Sequence, residues 1–75
     1  MKLEPGDILK CKNVYFVFTG HDLNAFQFYG MGGKRFRVIE KKELEGFELA
    51  GHILPGKGIL KRFDEFIKGQ RNEVS

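Results

Sequence analysis

Tyr15, Tyr29, Arg35 and Arg37 are the residues whose types and spacing could do chemistry together. Each sits at an alternating position in a run that reads as a β-strand, so all four are expected on one face of a sheet. Aromatic rings on a sheet give nucleobases a stacking surface, contributing about 1–3 kcal/mol per base. Flanking guanidiniums stack or pair with phosphate, and Lys34 adds a cation beside them. The pattern points to single-stranded nucleic acid. The same residue types also dominate protein–protein hot spots, and cross-strand Tyr pairs stabilise sheets with no ligand at all. A C-terminal helix packed across this face would cover it.

Other chemistry-bearing residues point to bland roles. Gly30-Met31-Gly32-Gly33-Lys34 lacks the four-residue spacing and the Gly-Lys-Ser/Thr end of a phosphate loop, and strand alternation follows it. Cys11, His21 and His52 are scattered without metal-ligand spacing, so no metal is expected. Thr19 lies close to His21, but a loop His beside Asp22 reads as a solvated turn. Asp64 and Glu65 are adjacent on a helix and diverge, and Glu43 and Glu45 look like a solvated pair. Cys11 reads as a small buried or half-buried hydrophobe. The expectation is a non-enzymatic protein without cofactor.

The elements that must position the Tyr/Arg set follow from residue types. Pro5-Gly6-Asp7 is a turn. Strands are expected at about 8–12, 14–19, 25–30, 34–40 and 47–53, rich in β-branched and aromatic residues. Residues 41–46 read as a short helical turn. From Ile59 the period changes: Ile59, Leu60, Phe63, Phe66 and Ile67 form the apolar stripe of an amphipathic helix over about 57–69. Residues 70–75 are expected to fray.

Parity sets the register. A two-residue turn at Gly32-Gly33 would pair Phe28 with Arg37. A three-residue loop, Met31-Gly32-Gly33, pairs Phe28 with Phe36 and Phe26 with Val38, and places Gly33 where such loops need a left-handed residue. The same reasoning makes His21-Asp22-Leu23 the preceding loop, pairing Phe18 with Phe26 and Phe16 with Phe28. One face then carries a Phe sheet. The other reads Tyr15–Tyr29–Arg35 across strands, with Val17–Gln27–Arg37 beside it. Phe16, Phe18, Phe26, Phe28, Phe36, Val38, Phe63 and Phe66 are expected in a single buried cluster.

Pro5-Gly6-Asp7-Ile8-Leu9, the two Phe-rich hairpins and Lys42-Glu43-Leu44 before a last strand resemble SH3-like small barrels, over about residues 5–54. The resemblance concerns fold. The expected class is mainly β with one C-terminal helix (α+β): a five-stranded antiparallel SH3-like small barrel or meander capped by an amphipathic helix, as a single domain over residues 1–75. Fold likeness carries no function.

Composition narrows the function classes. Seventy-five residues with one Cys exclude an internal disulfide and the Cys-rich secreted scaffolds. No run approaches ~18 apolar residues, and the first residues lack the apolar core of a signal peptide. A cytoplasmic protein without membrane contact is expected. Thirteen Lys and Arg against ten Asp and Glu give +3, concentrated in the second half. That charge is modest for a nucleic-acid binder. Two partners therefore compete: nucleic acid first, narrowly, and a protein partner, as an interaction module or inhibitor of a larger machine, second.

Overall fold

A computed structural model describes the backbone of residues 2–72 and the side chains of residues 2–70. Five strands form one antiparallel sheet: β1 (Asp7–Cys11), β2 (Val14–Asp22), β3 (Ala25–Gly30), β4 (Arg35–Val38) and β5 (Glu48–His52). A single helix, α1 (Ile59–Asn72), follows. The strand order is β4-β3-β2-β1-β5. Four strands run as a meander, and the fifth returns to pair with β1. The chain is thus mainly β with one C-terminal helix. The sheet is open, with β4 and β5 as its edges, and is compatible with a small barrel-like fold. The helix extends three residues past the expected end at Gly69; residues 73–75 of the expected frayed tail lie outside the described residues.

Turn chemistry accounts for the hairpins. Lys12 and Asn13 link β1 to β2 with φ of 49° and 67°, the left-handed pair that a two-residue turn needs to match strand twist. Between β3 and β4, Met31–Gly33 makes a 3₁₀ turn, and the Gly30 N–H donates to the Lys34 carbonyl at 2.7 Å. Gly33 has φ of 79°. Phe28 pairs with Phe36 and Phe26 with Val38, as the three-residue loop requires.

The β2–β3 hairpin differs from the expected register. β2 continues to Asp22, which pairs with Ala25 across a two-residue turn at Leu23-Asn24. Phe18 pairs with Phe28 and Phe16 with Gly30, two residues on from the expected partners. The register shifts between Phe18 and Gly20, so Thr19 is an extra residue in β2. A bulge of this kind absorbs one residue and keeps the faces in phase on either side. Strand parity alone cannot reveal it. Tyr29 therefore stands opposite Val17, while Tyr15 stands opposite Lys10.

The core is double, where a single cluster was expected. On one face, Leu9, Phe18, Phe28 and Leu44 are buried, with Leu3, Phe16, Phe26, Val38 and Phe47 packed against them. On the other, Ile8, Val17, Phe63 and Ile67 are buried, with Tyr15, Tyr29, Ile59 and Phe66 against them. The helix thus lies on the tyrosine face, not on the Phe sheet. That face has an apolar surface of its own. Ile8 and Val17 sit on that face and are fully buried, each contributing roughly 1.5–3 kcal/mol when covered. The Phe face already closes over itself through the N-terminal segment and the 3₁₀ turn at Lys41–Leu44.

Arg62 anchors the start of α1. Its guanidinium donates to the Leu54 carbonyl at 2.9 Å, the Lys57 carbonyl at 2.8 Å and the Pro55 carbonyl at 3.3 Å. These bonds satisfy loop carbonyls and fix where the helix leaves β5.

Candidate functional site

The helix covers the β1–β2 side of its face and leaves the β3–β4 corner open. There Thr19, Asp22, Gln27, Tyr29, Arg35 and Arg37 line a cleft of about 260 Å³. Pockets that enclose a drug-sized ligand run to ~300–1,000 Å³, so this cleft has room for about one ring system.

Each wall has a local cause. Tyr29 and Arg35 are direct cross-strand partners, as are Gln27 and Arg37, so all four project to one face. Tyr29 is half-buried because it also packs against the Ile8–Val17 cluster. The Thr19 bulge brings its hydroxyl over β3, where Oγ1 donates to the Gln27 carbonyl at 3.2 Å. Asp22 ends β2 on the same face, and its Oδ2 accepts from Gln27 Nε2 at 3.0 Å.

Electrostatics favour an anion at the corner. Lys34, Arg35 and Arg37 are exposed and form no ion pair among the described residues. The pairs found there join Lys42 to Glu40, His52 to Asp7 and Lys68 to Asp64. Two of these cations, Arg35 and Arg37, line the cleft beside the half-buried Tyr29 ring.

Of the five residues singled out from the sequence, Tyr29, Arg35 and Arg37 share the cleft, and Lys34 adjoins them in the chain. Tyr15 does not join them. Its ring meets Phe66 edge-on at 6.0 Å between centroids, and Lys10 Nζ lies 5.6 Å from its centre. Gln27 stands on this face opposite Arg37 as expected but was not singled out, and Thr19 and Asp22, which also line the cleft, were missed. The bulge that gathers them leaves no signature in strand alternation.

The remaining candidates separate. His21 faces the Phe side, edge-on to Phe26 at 4.9 Å, away from the Thr19 hydroxyl. His52 Nδ1 lies 2.6 Å from Asp7 Oδ1 across the β1–β5 pair. The Glu43 carboxylate accepts the Glu40 N–H, closing the 3₁₀ turn. Cys11 is half-buried. Among the described residues no three His, Cys, Asp or Glu side chains are grouped to hold a metal ion, and no helix is long and apolar enough to cross a membrane.

Compared with known proteins, the chain matches no family model, no curated protein and no solved structure.

Proposed function

We propose that this protein is a non-enzymatic binding module that takes single-stranded nucleic acid at the β3–β4 corner. The observation that carries this reading is that Arg35 and Arg37, exposed and without ion pairs among the described residues, line the same cleft as Tyr29, with Lys34 next to them in the chain. Phosphates meet the cations, and one base stacks on Tyr29. Single strands are preferred because stacking needs an exposed base face. Tyr15 takes no part, since it packs with Phe66 of α1 against the Ile8–Val17 cluster.

Fluorescence anisotropy with labelled single-stranded DNA, single-stranded RNA and duplex DNA at two salt concentrations tests the reading. Binding that weakens with salt and favours single strands is expected. No binding below about 100 µM at low salt overturns it, since even non-specific binders reach ~10⁻⁴–10⁻⁶ M at physiological salt.

A protein partner is the second reading, favoured by a specific feature. β4 is an edge strand, and beside its Arg face it exposes Phe36 and, just beyond, Ile39. An incoming strand could pair with that edge. A pull-down that survives nuclease treatment would favour this reading over the first.

A further inference from the structure

The two edges of the sheet carry opposite charge on one face and exposed apolar side chains on the other. Among the described residues β4 pairs only with β3 and β5 only with β1, so each keeps one side of its backbone free. Cross-strand partners fix the face of each side chain. On β4, Phe36 stands opposite Phe28 on the Phe face, and Arg35 stands opposite Tyr29 on the helix face. On β5, Leu49 stands opposite Leu9 on the Phe face, and Glu48 stands opposite Lys10, the neighbour of Tyr15, on the helix face. Phe36 is 43% exposed and Leu49 60%. Arg35 and Glu48 are exposed and form no ion pair among the described residues. Lys10 turns its Nζ over the Tyr15 ring instead of to Glu48. Phe66 of α1 reaches β5 at Gly51, and Glu48 stays uncovered.

A free edge is a template for another strand, and the charges along it decide which pairings are blocked. Two β4 edges would set arginines against arginines, with no carboxylate on either strand. Two β5 edges offer Glu48 no arginine or lysine. β4 against β5 brings opposite charges together.

We propose that a second copy of this chain adds its β4 to the free edge of β5, in a head-to-tail contact. Direction follows from topology. β4 and β5 both run opposite to β1, so with like faces aligned the added strand lies parallel to β5. Phe36 of one copy then sits beside Leu49 of the next on the Phe face, and Arg35 beside Glu48 on the helix face. The edges are four and five residues long, so the contact belongs to the weak class of small interfaces. The contact does not rest on the nucleic-acid reading.

Sedimentation equilibrium of the full chain, without nucleic acid, tests it. At low salt the weight-average mass should at least double by ~1 mM chain, as for a contact with Kd of about 1 mM or tighter. Raising the salt should reverse the rise, because Arg35 and Glu48 are screened. Arg35→Glu and Glu48→Arg each set like charges against each other and should stay monomeric, with thermal melts that show folded chains. An equimolar mixture of the two variants restores opposite charges at every junction and should recover the association, which unfolded variants could not do. A wild-type chain that stays monomeric overturns the proposal. Association that survives either reversal overturns it as well, and so does a mixture that stays monomeric. Since every arm omits nucleic acid, none of these results alters the binding reading above.

Discussion

The Phe66 ring meets Tyr15 edge-on, at 76° between planes, and the same ring occupies the space a side chain at position 51 would take. A Cβ on Gly51 would stand 2.8 Å from Phe66 Cε2. The helix therefore docks against β5 through the absence of a side chain there.

Gly51→Ala should push α1 off the sheet. Overpacking of this kind costs about 1–3 kcal/mol, a large share of the stability of a domain this small. Urea melts of wild type and variant measure it. A melt unchanged within error would mean that Phe66 swings aside freely and the helix is loosely held.

Gly30 stands in the same relation to Phe36 on the opposite face. A Cβ there would approach Phe36 Cε2 at 2.5 Å, yet Phe36 is 43% exposed. Gly30→Ala alone should destabilise by roughly 1–3 kcal/mol. In a Phe36→Ala background the clash is gone, and most of that cost should vanish. A double-mutant cycle with coupling below ~0.5 kcal/mol would contradict this packing.

Asp7 ties three segments together. Its buried carboxylate accepts the Glu4 N–H at 2.9 Å and faces His52 Nδ1 at 2.6 Å. Asp7→Ala should cost about 1–3 kcal/mol, because it leaves the turn N–H and His52 without their acceptor. His52→Ala should cost less, since half of that side chain is exposed and Asp7 keeps its bond to Glu4. Equal losses in thermal melts would place the stability in the Asp7–His52 hydrogen bond alone.

At the β3–β4 corner the two residue types should leave separate signatures. Arg35→Ala or Arg37→Ala should weaken binding to all sequences alike and flatten the salt dependence by about one contact each. Tyr29→Ala should cost about 1–3 kcal/mol of binding with the salt slope nearly unchanged. Tyr15→Ala should leave affinity unaltered, provided its melt shows a folded chain. Loss of binding on Tyr15→Ala without loss of stability would return the stacking role to Tyr15.

Local chemistry in the sequence determined the strand types, the Met31–Gly33 loop, the Phe28–Phe36 register, the amphipathic helix and the Tyr29–Arg35–Arg37 side of the cleft. These follow from period, turn residues and side-chain parity, all of which act within a few residues. Only the tertiary structure decided which face the helix covers. Both faces of the sheet are apolar enough to receive it, Leu9 and Phe18 on one and Ile8 and Val17 on the other, and periodicity does not rank them. The choice fell to the face left open once Leu3, Leu44 and Phe47 had closed the Phe side, together with the close approach that Gly51 permits. The Thr19 bulge was likewise invisible, because it reverses face parity only over Gly20–Asp22, where no apolar residue marks which face is buried. The Leu23-Asn24 turn and the bulge together moved Tyr29 from opposite Tyr15 to opposite Val17 and set Asp22 on the same face as Gln27.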